Sequence, residues 1–140
     1  MNRRIAFVVT ALVACFSLFV LVGCASSSQE GGGASEDAGF EQIDAEAAKK
    51  IMDEESDYVI LDVRTQDEYD QGHIPGAVLL PHDVVSKEAE KILPRKDQLV
   101  LVYCRRGNRS KQASQALVDL GYTNVVEFGG INDWPYDIER

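Results

Sequence analysis

"LVLVYCRRGNRSKQASQALVDLG", residues 99–121, decides the fold of this chain. Leu99–Tyr103 is apolar or aromatic at every position, which suits a strand buried on both faces in the middle of a sheet. Ser110–Leu120 carries Ala113, Leu117 and Leu120 on one side at helical spacing, and Gly121 is placed to end that helix. A strand that feeds a helix after so short a turn reads as half of a parallel crossover unit. The turn holds one cysteine, Cys104, followed by Arg105, Arg106 and Arg109. The chain as a whole is acidic, with a formal charge of −9. Its positive charge is thus concentrated behind one thiol.

The same alternation extends outward from this stretch. Phe40–Ile43 reads as a short strand, and Asp44 can cap a helix over Ala45–Met52 with Ala47, Ala48 and Ile51 on one face. Tyr58–Leu61 is an apolar strand. Thr65 and Glu68 have capping-box spacing, so a short helix starts there. Gly72, Pro75 and Gly76 force a loop before a third strand, Ala77–Leu80. Asp83–Leu93 is helical and ends before Pro94. Val125–Phe128 is a last strand, after which Gly129-Gly130 turns into a short helix near Ile131–Trp134. Strands alternating with helices imply an α/β domain whose mostly parallel sheet is covered on both faces. Ligands in such sheets sit beyond the carboxyl ends of the strands, where Cys104 and Asp62 fall. No internal repeat is visible.

The N-terminus is different in kind. Asn2-Arg3-Arg4 precedes an apolar run, Ile5–Val22, that ends in Leu21-Val22-Gly23-Cys24. This is the shape of a secretory signal. Its last four residues resemble the bacterial lipoprotein box, which implies cleavage after residue 23 and lipid on Cys24. An uncleaved anchor is the alternative, since about 18 apolar residues can span a bilayer. Either way the remainder is exported, and the lipid would hold it to the cell membrane or an outer membrane. Residues 25–39 are small, polar and glycine-rich, a flexible tether with a mean reach of roughly 20 Å. Loss of residues 1–23 removes two arginines and no acid. A chain this acidic is a poor partner for nucleic acid. Cys15 leaves with the signal, which strands Cys104 without a disulfide partner.

The turn after Cys104 has features of an anion cradle. Gly107 supplies backbone freedom, Asn108 tolerates a left-handed conformation, and Ser110 is expected to open the helix whose free N–H groups face the loop. A thiol in such a setting should have a depressed pKa. The alternative is an inert, buried structural cysteine.

Cys104-Arg105-Arg106-Gly107-Asn108-Arg109-Ser110 resembles the active-site loop of the rhodanese family of sulfurtransferases. "LDVRTQDEYDQGHIPGAVLLP", residues 61–81, resembles the family's upstream signature, and "FGGINDWP", residues 128–135, its closing one. The resemblance covers residues 40–140. It implies a single three-layer domain, about five parallel strands with helices on both faces. It also implies a Cys104 that accepts a sulfane sulfur as a persulfide, with Arg105, Arg106, Gly107, Asn108, Arg109 and Ser110 forming the substrate loop. The donor would be thiosulfate or a small persulfide, the acceptor a thiol or cyanide. No cofactor is expected, and a monomer is.

Two rivals remain open. Cysteine phosphatases and arsenate reductases also hold a thiolate in an anion loop, but their pattern places arginine six positions after the cysteine. Here that position is Ser110, and Arg109 comes one earlier. The other rival is a lipid-anchored module that binds sulfur species or anions without turnover.

Asp62 and Arg64 are supporting candidates near the mouth of the site. They either position the loop or touch substrate, or they form a salt bridge, Arg64 with Glu68 or Asp62 with a loop amide. His73 is expected to make a structural hydrogen bond, since an ionised cysteine needs no base. His82 reads as a turn or cap residue. Two histidines and a distant cysteine make no metal pattern. Trp134 is expected to pack over the last strand.

Overall fold

The computed structural model describes residues 39–140. The expected signal, the lipidation site Cys24 and the tether to residue 38 lie outside the described residues.

Five strands and four helices alternate: β1 (Glu41–Gln42), α1 (Ala45–Glu54), β2 (Tyr58–Asp62), α2 (Gln66–Asp70), β3 (Val78–Leu79), α3 (Val85–Ile92), β4 (Leu99–Cys104), α4 (Asn108–Asp119) and β5 (Val125–Gly130), followed by a 3₁₀ turn at Ile131–Asp133. The strands form one sheet in the order β1-β5-β4-β2-β3, every pair parallel. The all-apolar strand β4 is central, as its composition requires.

Side-chain alternation along β4 divides the core in two. Val100, Val102 and Cys104 pack with Val85 and Ala89 of α3 and Ala113 and Leu117 of α4. Leu101 and Tyr103 face the other way, with Ala48 of α1, Phe128 and Trp134. Each aliphatic side chain fully buried in this way contributes about 1.5–3 kcal/mol. Trp134 lies tilted against Phe128 with ring centroids 5.7 Å apart, which is the packing expected of it.

The local signals act as anticipated at three helix ends. Asp44 accepts the Ala47 amide at 2.8 Å. Thr65 and Glu68 form a complete capping box on α2. Gly121 follows α4, and the Tyr122 amide closes back onto the Leu117 carbonyl at 3.1 Å. Two helix starts differ from expectation. Helix α3 begins at Val85, not Asp83, because Pro81–Val84 closes a turn first, Val84 N donating to Pro81 O at 3.0 Å. Helix α4 begins at Asn108, not Ser110, with Gly107 as its left-handed N-cap at φ 93°. Asn108 is therefore helical, and glycine alone takes the conformation that side chains resist.

A register shift near the end of β5 matters for the site. Val102 pairs with Glu127, but Cys104 pairs with Gly130, so Phe128 and Gly129 together stand opposite Tyr103. The extra residue is a β-bulge, a device that re-aims side chains where pairing ends.

Candidate functional site

Cys104 ends the central strand and is buried, with its sulfur beneath the turn that leads into α4. The turn presents its amides inward because its carbonyls are taken elsewhere. The Arg105 carbonyl accepts the Asn132 amide at 3.3 Å, which turns the next peptide N–H, that of Arg106, the opposite way. The Gly107 carbonyl accepts the Lys111 amide at 3.1 Å and the Ser110 hydroxyl at 2.8 Å. The Gly107 amide donates to Cys104 Sγ at 3.1 Å.

Burial pushes the Cys104 thiol up, but the Ser110 hydroxyl and the amides of Arg106, Ser110 and Gly107 outweigh it, and the pKa falls below the ordinary thiol value. The Ser110 hydroxyl and the turn's amides thus form the anion cradle expected around the sulfur. Arg105 and Arg106 are exposed. Arg109 is paired with Glu68, Nη1 to Oε2 at 2.7 Å and Nη2 to Oε1 at 2.8 Å. This fork holds the Glu68 carboxyl down to about 2 against the opposing effect of its partial burial. Arg109 is also raised, chiefly by Glu68 and less by the Cys104 sulfur.

Asp62 and Arg64 form a buried ion pair, Arg64 Nη2 to Asp62 Oδ2 at 2.6 Å, with Nε bonded to both carboxylate oxygens. Tyr103 donates to Asp62 Oδ2 at 2.5 Å, and Arg64 Nη2 also reaches the Gly72 carbonyl at 2.8 Å. Burial and the Asp62 charge drive the Tyr103 phenol far up. Asp62 pairs in register with Tyr103, on the sheet face away from Cys104. Asp62 therefore does not join the sulfur. Arg64 comes nearer the loop: with Glu68, Gly72, Arg105, Ile131 and Asn132 it lines a cavity of about 360 Å³. The salt bridge foreseen from Arg64 to Glu68 is instead made to Asp62, because Arg109 occupies Glu68.

His73 has its Nδ1 3.0 Å from the Tyr69 carbonyl and its Nε2 3.3 Å from Glu139, and its ring stacks on Tyr69. Its role is to pin the C-terminal residues, a structural one. His82 lies in the turn before α3. Among the described residues no three His, Cys, Asp or Glu side chains are grouped to hold a metal. A larger cavity of about 480 Å³ lies over Met52, Tyr58 and Trp134 and touches no residue of the cysteine loop.

Two residues of the site were not singled out in the sequence. Gly130 has no space for a side chain, since a Cβ there would stand 2.3 Å from the Arg105 carbonyl oxygen and 2.6 Å from the Arg106 nitrogen. Glu127 is buried on β5 and accepts the Ser110 hydroxyl at 2.6 Å and the Gly129 amide at 2.9 Å. Its signal was a lone acid inside the apolar run "VVEF".

The rhodanese-like domain model matches residues 44–136, most of the chain. The chain belongs to the rhodanese family. This rhodanese-like chain is 37% identical over 94 residues to a sulfurtransferase of Allochromatium vinosum, covering 66% of itself and 86% of that protein. It is 38% identical over 73 residues to thiosulfate sulfurtransferase PspE of Escherichia coli, covering 52% of itself and 70% of the relative. Among solved structures it resembles a rhodanese with anions from E. coli, with a TM-score of 0.56 and 34% identity over 59% of this chain and 98% of the other. Sulfur transfer of the rhodanese type is its activity, and the five-stranded parallel sheet with helices on both faces is the family's frame.

Proposed function

We propose that Cys104 is the nucleophile of this sulfurtransferase and that thiosulfate or a small persulfide is its donor. The observation that carries the reading is the Gly107 amide on Cys104 Sγ at 3.1 Å, within a turn whose Arg105 and Gly107 carbonyls are engaged by other donors. A thiolate held by amides attacks the outer sulfur of thiosulfate. The new S–S bond forms as the old one breaks, and sulfite departs with the electron pair. The resulting Cys104 persulfide is then attacked at its outer sulfur by a thiolate or cyanide. That step forms an S–S or S–C bond and returns the Cys104 thiolate. The amides bind the negative charge on either sulfur, and they are already oriented before reaction. Exposed Arg105 and Arg106 draw the anionic donor and steady the departing sulfite.

The phosphatase rival is disfavoured by Arg109, whose guanidinium fork is engaged by Glu68 on both nitrogens instead of being open to a tetrahedral oxyanion. The decisive assay incubates the protein with thiosulfate and cyanide, and in parallel with a phosphate ester. Thiocyanate without phosphate is the expected outcome. Phosphate release would favour the rival, and no turnover with any donor would favour a binding module. Alkylation of Cys104 should persist well below the pH of an ordinary thiol, about 8.5. A midpoint at the ordinary value, or sulfur transfer by Cys104→Ser, overturns the assignment.

The protein is proposed to act outside the cytoplasm as a monomer, tethered by lipid on Cys24 after cleavage of residues 1–23. Leu21-Val22-Gly23-Cys24 and the glycine- and serine-rich tract behind it support this. Intact-mass analysis of the membrane-extracted protein should give a chain that starts at a lipidated Cys24. A mature protein that keeps Met1 replaces this reading with the uncleaved anchor.

A further inference from the structure

The buried Glu127 is not used by the chemistry above, yet it sits one residue away from it. Ser110 Oγ has a single proton. Around it stand the Glu127 carboxylate at 2.6 Å, the Gly107 carbonyl at 2.8 Å and the Gly129 carbonyl at 3.3 Å. The Cys104 sulfur is a fourth acceptor within its influence. One hydroxyl donates one hydrogen bond, so these acceptors compete. Glu127 offers the shortest contact and the only carboxylate, and charge-assisted hydrogen bonds are the stronger kind. The carboxylate is itself held in place, because Gly129 N donates to the same Oε1 at 2.9 Å. It also shares Val125's side of β5, the side on which α4 packs.

From this geometry we infer that Glu127 is a positioning residue, which competes with Cys104 for the Ser110 hydroxyl proton and leaves the sulfur to rely mainly on backbone amides. The inference rests on Cys104 reacting as a thiolate. Its consequence is a sulfur that is stabilised enough to ionise but not overstabilised. Thiolate nucleophilicity falls as thiol pKa falls, with a Brønsted slope of about 0.4–0.5. A further hydroxyl bond to Sγ would lower both. The other charged groups at this spot are Arg106, Lys111 and Asp44, which line the cavity that reaches Glu127, and Arg109 with Glu68 on the opposite flank.

The test is the pH profile of Cys104 alkylation by iodoacetamide, a neutral reagent that requires no sulfur transfer. Four proteins are compared with the parent: Glu127→Gln, Glu127→Leu, Ser110→Ala and the Ser110→Ala/Glu127→Leu pair. Glu127→Leu releases the hydroxyl to the sulfur. The midpoint should fall by about one unit, and the limiting rate constant should drop roughly threefold. Glu127→Gln keeps an acceptor without the charge and should stay near the parent. Ser110→Ala should raise the midpoint, but by less than about 0.3 unit, since its proton lies mainly on Glu127. Adding Glu127→Leu to Ser110→Ala should then change nothing. An equal fall with and without Ser110 would make Glu127 a simple repelling charge and overturn the inference. So would a rise of a unit in Ser110→Ala alone, which needs no Glu127 variant to fold. A parent midpoint at the ordinary thiol value would instead sink the thiolate reading itself, so the two failures are distinct.

Discussion

Gly130 and Arg105 touch backbone to backbone, closely enough that the Arg105 carbonyl oxygen lies 2.3 Å from the point where a Gly130 Cβ would be. That contact is rigid on both sides, since the atoms involved belong to the main chain. It fixes the turn that aims the Arg106 and Gly107 amides at the sulfur. Gly130→Ala should therefore displace the turn by several tenths of an ångström or more. We expect a loss of kcat/KM near 100-fold, the scale of a 1 Å misplacement. The expected companion is a rise of the Cys104 alkylation midpoint. Steady-state kinetics and the pH profile of the purified variant check both. Parent-like values would show that the turn tolerates the side chain.

Arg105 and Arg106 are exposed, so their pull on a donor is limited by screening. At about 0.3–1 kcal/mol each, replacing both by Ala should raise KM for thiosulfate roughly 3- to 30-fold and lower kcat less. The effect should shrink towards 1 M salt, where the Debye length is about 3 Å. A neutral sulfur donor should barely notice. Equal losses for charged and neutral donors would mean that the two arginines shape the loop.

The Glu68–Arg109 fork predicts an acid-dependent loss of stability. The Glu68 carboxyl is held at about 2 in the fold, below an ordinary 4.5. The unfolded chain therefore binds the extra proton first. The stabilisation is present in full above about 4.5 and fades as pH falls towards 2. Both side chains are about a quarter exposed, so the contribution is discounted to about 1 kcal/mol. Urea unfolding of Glu68→Gln should match this loss at pH 7 and show a flatter decline between pH 4.5 and 2.

Asp62 and Arg64 separate a structural role from contact with substrate. Removing one member of a buried pair costs about 3–5 kcal/mol, because the other charge is left unmatched. Asp62→Ala should thus lower the thermal midpoint strongly, and Arg64→Lys should lower it too, since lysine lacks the fork that meets both carboxylate oxygens and Gly72. Circular dichroism melts provide the measurement. Full stability with lost activity would move both residues to the substrate side.

What the sequence made legible followed local rules. The central strand, the Asp44 cap, the Thr65–Glu68 box and the Gly121 stop all follow from residues within a few positions of one another. Cys104 and its glycine turn were visible for the same reason. The partners were not. Glu68 meets Arg109, and Asp62 meets Tyr103, across 41 residues in each case, and those meetings depend on which strands are neighbours. The amide cradle was legible from Gly107 and the helix behind it, and its amides do meet the sulfur. What stayed hidden was that Arg109, one of the three loop arginines, would turn to Glu68. Gly130 and Glu127 matter only through a bulge that sets Gly130 beside Cys104, and a bulge is a property of two strands together.

The two-faced core has an evolutionary consequence. Along β4 the sulfur and the Tyr103 phenol belong to opposite layers, so parity decides which of them meets the turn. Gaining or losing a single residue between Leu99 and Tyr103 would exchange the layers and bring the phenol into the thiol's place, with the composition of the strand almost unaltered. Substitutions among Val, Leu and Ile there keep the parity and cost only the packing of one buried methyl or methylene, about 0.5–3 kcal/mol. A change of length is far better tolerated in the loops beyond the strand, where no side-chain alternation has to be kept.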